Sequence, residues 1–139
     1  MRIGLIDVDG HNWPSLPLMK ISAYHKAKGD KVELWFPMNH YDKVYMSKVF
    51  PGSADVDSVI YAGEIERGGT GYFYPDGGPP LPEEIEHIFP DYGLYPEAEG
   101  RAYGFLTRGC PRQCGFCIVG KKEGTISRQV ADLPEFWNG

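Results

Sequence analysis

Arg2-Ile-Gly-Leu-Ile-Asp-Val-Asp-Gly10 opens the chain with an apolar run that ends in two carboxylates and a glycine. Such a run, bounded by a turn signal, reads as a buried strand over Arg2 to Val8. Pro14 and Ser15 then open a predicted helix to about Lys28, with Leu16, Met19, Ala23 and Ala27 on one apolar face and Gly29-Asp30 as its stop. Lys31 to Phe36 reads as a second strand closed by Pro37. Lys43 to Phe50 reads as a third, rich in β-branched and aromatic residues, and Asp57 to Ala62 as a short fourth.

Strand, helix, strand in this order predicts an α/β fold with a parallel sheet and right-handed crossovers. The expected architecture is a flavodoxin-like or Rossmann-like layer over residues 1–95, with a second crossover whose helix is absent or reduced. Residues 63–82, which include Gly68-Gly-Thr-Gly71 and Gly77-Gly-Pro-Pro80, read as a glycine- and proline-rich loop. A short helix is expected over Pro82 to Ile88, and a strand over Asp91 to Tyr95. Residues 96–101 read as a linker, and Ala102 to Thr107 as a strand that opens a second unit over 102–139. Something helical is expected near Leu133 to Trp137.

The 139 residues suffice for one ordinary domain, and the net charge of −5 argues against a general nucleic-acid binder. No apolar run is long enough for a membrane span or a signal peptide, so no membrane partner and a cytoplasmic location are expected. Charge is unevenly placed. Between Gly52 and Gly100 the only Lys or Arg is Arg67, whereas between Arg101 and Arg128 six basic residues face one acid, Glu123. A basic strip favours thiolates and anionic ligands.

All three cysteines fall within Arg108-Gly-Cys-Pro-Arg-Gln-Cys-Gly-Phe-Cys-Ile-Val-Gly120. An odd number of thiols within eight positions makes a secreted disulfide framework a poor explanation. Three thiolates on a short loop, Cys110, Cys114 and Cys117, suit three corners of an iron–sulfur cube and leave one iron without a cysteine. A zinc site completed by His87 or His11 is an alternative, with unusual spacing. A purely structural role is another.

The stretch Tyr103-Gly-Phe-Leu-Thr-Arg-Gly-Cys-Pro-Arg-Gln-Cys-Gly-Phe-Cys-Ile-Val119 closely resembles the first strand and cluster loop of radical S-adenosylmethionine enzymes, with Phe116 in the aromatic position. The resemblance implies a 4Fe–4S cluster on Cys110, Cys114 and Cys117, with S-adenosylmethionine chelated by the open iron and Phe116 beside its adenine. It also implies reductive cleavage to a 5′-deoxyadenosyl radical that abstracts a substrate hydrogen. An external reductant such as flavodoxin or ferredoxin, small-molecule ligands and a β/α barrel are implied with it. Since the chain ends at Gly139, the expectation is an incomplete barrel, with its C-terminal portion missing and little activity in this chain alone.

Many members of that family carry an N-terminal cobalamin-binding domain, and the first 95 residues resemble one. Asp9-Gly-His11-Asn-Trp-Pro14 is similar to the start of the cobalamin motif, with proline in place of its glycine. Ser47 and Gly68-Gly69 stand in the order of the later elements. By this resemblance Asp9, His11, Ser47, Gly68 and Gly69 are candidate cobalamin contacts, although a cobalamin-domain-like fold without cobalamin is the favoured reading. Asp9 and Asn12 as acceptors of turn donors, and Gly68-Gly69 as plain loop, are the ordinary explanations. Trp13, Trp35, Tyr45 and Phe50 are expected in the core, and His25, His40 and His87 are assigned no role. The competing function is a non-catalytic flavodoxin-like ligand-binding or interaction module with a structural zinc or iron–sulfur site.

Overall fold

The computed structural model describes residues 1–10 and 13–139. Its centre is a four-stranded parallel sheet of order β2-β1-β3-β4, built from β1 (Arg2–Asp7), β2 (Lys31–Leu34), β3 (Tyr41–Ser47) and β4 (Ala62–Gly68). The mixed α/β class and the parallel sheet agree with the reading of the sequence. Helix α1 (Leu16–Ala27) makes the first crossover. The second runs through residues 35–40 without a helix, and the third through 48–61, also without one.

The two faces of the sheet are therefore covered differently. On one, Ile3, Leu5 and Tyr45 pack against Leu18 and Ile21 of α1 and against Ile85 of α3 (Glu83–Glu86). On the other, Ile6, Val44 and Met46 lie under Val56, Ile60 and Trp35, which come from connecting segments. Each aliphatic side chain buried this fully contributes about 1.5–3 kcal/mol, so irregular segments suffice as a lid where a helix is missing. Gly4 has a packing reason: a Cβ there would sit 3.1 Å from the Tyr41 ring.

Helix α1 buries Leu18, Met19, Ile21, Ser22 and His25, while Ala27 is exposed. The face expected from apolar spacing is thus rotated. Ser22 and His25 can be buried because both are paired. Ser22 Oγ donates to Asp91 Oδ2 at 2.6 Å, and His25 lies between Asp30 Oδ2 at 2.7 Å and the Tyr45 hydroxyl at 2.9 Å. Buried polar groups with partners are tolerated, and a purely apolar pattern overlooks them. Gly29, at φ +85°, ends the helix as expected.

The fourth strand lies later than expected. Asp57 to Ile60 is irregular, and Ala62–Gly68, whose greater part was read as loop, forms β4. This strand occupies the sheet edge, so its carboxylates face solvent and pair across the ladder: Lys43 Nζ lies 2.7 Å from Glu66 and 3.5 Å from Glu64. Within the same glycine-rich stretch, Thr70–Phe73 forms the short helix α2. The expected strand at 91–95 is a 3₁₀ turn, Tyr92–Leu94, followed by a second at Pro96–Ala98. Tyr95 and Ala98 are buried against Met19 of α1.

Beyond residue 100, the expected strand over 102–107 shrinks to β5 (Thr107–Arg108), paired antiparallel with β6 (Arg128–Gln129). Between them lie the cysteines and α4 (Val119–Glu123). A 3₁₀ turn at Leu133–Glu135 stands near the expected helical tail. The segment docks on the first hundred residues at several points. The Tyr92 hydroxyl lies 3.1 Å from the Tyr103 amide, and Gly104 is pressed against the Phe136 ring. Among the described residues no helix is long and apolar enough to cross a membrane.

Candidate functional site

The base of the cysteine loop is tightly fastened. Gly109 has φ +95°, and a Cβ there would meet the Ile126 carbonyl oxygen at 2.1 Å, so only glycine lets the chain turn into the loop at this point. The Cys110 amide donates to the Gly124 carbonyl at 3.1 Å. Glu123 bridges the two sides. One carboxylate oxygen accepts from Arg108 Nη1 at 2.8 Å and the other from the Gly109 amide at 3.3 Å. The Arg128 guanidinium adds a bond to the Glu123 carbonyl at 2.5 Å, and that of Arg108 lies over the Phe105 ring, 4.1 Å from its centroid. Glu123 was conspicuous in the sequence as the lone acid of a basic stretch, yet its role in holding the loop was not read there.

Above this base the loop is open. Cys110 is half-buried, Cys114 and Cys117 are exposed, and all three are free thiols. The Cys117 amide closes a turn onto the Cys114 carbonyl at 3.0 Å, Gln113 adopts φ +51°, and a Cβ at Gly115 would meet open space. Phe116 is 93% exposed, leaving its ring free to contact a planar ligand. Among the described residues, no three cysteine, histidine, aspartate or glutamate side chains are gathered to hold a metal ion. The thiols thus share a loop without converging on one point.

His87 is not a ligand to this loop. Its Nδ1 lies 2.5 Å from Glu135 and its Nε2 3.3 Å from Glu83, and the bond to Glu135 holds its pKa above the ordinary histidine value. His11 lies outside the described residues. His40 stacks on Tyr61 with ring centroids 4.8 Å apart.

The other candidates meet at the carboxyl ends of β1, β3 and β4, around Ser47-Lys48-Val49. Asp9 is buried, and its carboxylate accepts from the Val49 amide, the Phe50 amide and the Ser53 hydroxyl. These three donors belong to the loop after β3; the turn before the helix, where the sequence reading places the donors of Asp9 and Asn12, includes residues 11 and 12, which lie outside the described residues. Buried Ser47 receives a weak bond from the Ser15 hydroxyl at 3.5 Å. The Gly68 carbonyl accepts from the Lys48 amide at 3.1 Å. Gly69 has φ +96°, and a Cβ there would lie 2.3 Å from the Lys48 carbonyl oxygen. Asp9, Gly68 and Gly69 each contact the segment Lys48 to Ser53 that follows Ser47 at the end of β3, and so meet at one packed corner.

A cleft of about 390 Å³ opens beside that corner, where parallel sheets commonly take ligands. Asp7 and Gly10 line it from the end of β1, Leu34 from β2 and Trp35 from just beyond it, and Tyr95 and Glu97 from the 3₁₀ segment, with Trp13 and Val56 on its walls. Tyr95 is buried and donates to Asp7 Oδ2 at 2.7 Å. Burial first, and then the neighbouring carboxylate, push its phenol pKa well up. The expectation of core aromatics is met by Tyr45, whereas Trp13 is 71% and Phe50 62% exposed. Nothing in the sequence linked Tyr95 to Asp7, which lie 88 positions apart. No protein-family model, curated protein or solved structure matches the chain.

Proposed function

We propose that this chain carries the iron–sulfur loop of a radical S-adenosylmethionine enzyme, with Cys110, Cys114 and Cys117 as the cysteine ligands of a 4Fe–4S cluster. The observation that carries the proposal is a set of three free thiols on one solvent-facing loop with an anchored base. Structural cysteines would be buried, whereas Cys114 and Cys117 are exposed and Cys110 is only half-buried. The fit is one of donor chemistry: three soft sulfur ligands suit iron–sulfur assembly and leave an open coordination position. When bound, such a cluster supplies the electron that cleaves the sulfonium of S-adenosylmethionine.

The remaining roles belong to the chain. Glu123 and Arg108 hold the strand that leads into Cys110, while Gly109 permits the turn. Phe116 offers an uncovered ring for stacking on a planar base. We read the N-terminal layer, in turn, as cobalamin-domain-like without a corrin contact at Asp9, whose carboxylate is engaged by the loop after β3. The competing zinc site loses support from His87, both of whose ring nitrogens face carboxylates.

Anaerobic reconstitution with ferrous iron and sulfide tests the assignment. The expected product is a brown protein with a 4Fe–4S electron-resonance signal that changes on adding S-adenosylmethionine. Replacing any one of the three cysteines by alanine should abolish it. Stoichiometric zinc with no cluster, or a cluster indifferent to the cysteine substitutions, would sink the proposal.

A further inference from the structure

The cysteine loop holds two kinds of thiol. Cys110 belongs to the anchored base: it is half-buried, and its amide donates to the Gly124 carbonyl at 3.1 Å. Cys114 and Cys117 are exposed and bracket a single tight turn, Cys114-Gly-Phe-Cys117, closed by the Cys117 amide on the Cys114 carbonyl at 3.0 Å. The first and fourth residues of such a turn have their Cα atoms within about 7 Å of each other. A disulfide spans about 4.4–6.8 Å between Cα atoms, so the turn brings these two residues within reach of that bond. Neither central residue stands in the way. Gly115 has no side chain, and a Cβ added there would meet open space, while Phe116 is 93% exposed.

The surroundings favour one class of reagent. Arg112, Lys121 and Lys122 flank the pair and are exposed. The first acid after the pair, Glu123, is engaged by Arg108 and the Gly109 amide. Positive charge here draws in an anionic reagent, and oxidised glutathione is a small anionic disulfide. One cysteine sulfur attacks its S–S bond, so that a protein–glutathione disulfide forms and one glutathione leaves as a thiol with the proton. The second cysteine sulfur attacks this mixed bond, the Cys114–Cys117 bond forms, and the second glutathione leaves with the other proton. Two electrons pass from the cysteine pair to the glutathione disulfide, and no further reactant is needed.

We infer that Cys114 and Cys117 form a reversible dithiol–disulfide site that exchanges with small anionic disulfides and leaves Cys110 as a thiol. Sulfur held in a disulfide is no longer a thiolate donor, so this bond and a metal on the loop exclude one another. The site is a property of the metal-free chain and stands whether or not the loop holds iron.

The test incubates the metal-free full chain with oxidised glutathione, alkylates it with iodoacetamide and cuts it with trypsin. Cleavage after Arg108, Arg112 and Lys121 puts Cys110 on peptide 109–112 and the other two cysteines on peptide 113–121. The expected products are an unalkylated peptide 113–121, two hydrogens lighter than its dithiol form, and an alkylated peptide 109–112. Dithiothreitol before alkylation should restore both alkylation sites on peptide 113–121. In Cys114→Ser, a glutathione adduct on Cys117 has no neighbouring thiol to resolve it. That adduct should accumulate at least about tenfold above its wild-type level, since a thiol in the same turn acts at a high effective concentration. No iron enters the experiment, so its result is independent of the cluster assignment. A cross-link joining peptides 109–112 and 113–121, glutathione adducts that persist on wild-type Cys114 or Cys117, or two alkylated cysteines on peptide 113–121 after oxidation would overturn the inference.

Discussion

Replacing Glu123 by alanine should loosen the base of the cysteine loop while leaving the sheet intact. The side chain makes two contacts, to Arg108 Nη1 at 2.8 Å and to the Gly109 amide at 3.3 Å. Arg108 and Glu123 are 26% and 17% exposed, so their ion pair lies between a surface and a buried case. A surface pair contributes about 0.2–1 kcal/mol, and the bond to the amide about another 1 kcal/mol. The expected local loss is therefore about 1–2 kcal/mol, a factor of roughly 5–30 in the opening equilibrium. The assay is amide hydrogen exchange at Cys110, whose N–H is bonded to the Gly124 carbonyl. Exchange there should accelerate by that factor, while the amides of Val44 and Met46 in the sheet core stay unchanged, because local opening need not involve global unfolding. Adding Arg108→Ala to the alanine variant should cost only the guanidinium contact with the Phe105 ring, about 0.5–1 kcal/mol, since the shared ion pair is already gone. Unchanged exchange at Cys110, or equal acceleration in the core, would refute the view that Glu123 fastens the loop.

Two further outcomes follow from the packing. Gly69→Ala should lower stability in urea unfolding by about 2–3 kcal/mol, because a positive φ alone costs an L-residue roughly 1–2 kcal/mol and its Cβ would lie 2.3 Å from the Lys48 carbonyl oxygen. Gly68→Ala, whose Cβ meets open space, should be near neutral, and equal effects at the two positions would contradict the argument. Stability should also fall in acid through Asp91. Burial acts to raise its pKa, but bonds from Lys26 and Ser22 outweigh burial and hold it below the ordinary 3.8. A carboxylate lowered in the folded state contributes its stability above the unfolded pKa and loses it as pH falls through the folded value. Thermal melts of the wild type should therefore decline more steeply below about pH 4 than those of Asp91→Asn; parallel declines would remove Asp91 from the explanation.

The parts of the fold legible in the sequence are those where local chemistry and final environment agree. Ile3 to Ile6 carries no polar side chain and ends up between two packed faces, so β1 could be read directly. The absent second crossover helix could likewise be anticipated from the short, proline-closed stretch after β2. The edge strand β4 could not, because Glu64, Glu66 and Arg67 look like loop residues until Lys43 is placed across the ladder from them. The buried stripe of α1 was misplaced for the same reason. Ser22 and His25 become interior residues only once Asp91, Asp30 and Tyr45 arrive to bond them.

For the candidate sites the division is similar. The sequence by itself determined that three thiols, Cys110, Cys114 and Cys117, stand within eight positions of one another however the chain folds. It also determined that this loop sits in a basic stretch with a single acid. Tertiary structure alone decided that this acid would bridge Arg108 and Gly109, and that Asp9 would spend its oxygens on the loop after β3. It alone assembled the cleft, drawing Asp7 and Tyr95 to 2.7 Å across 88 positions. The physical reason is range. Ligand spacing and strand character are local properties of the chain, whereas the partner of a buried polar group is set by long-range packing that no short window of residues contains.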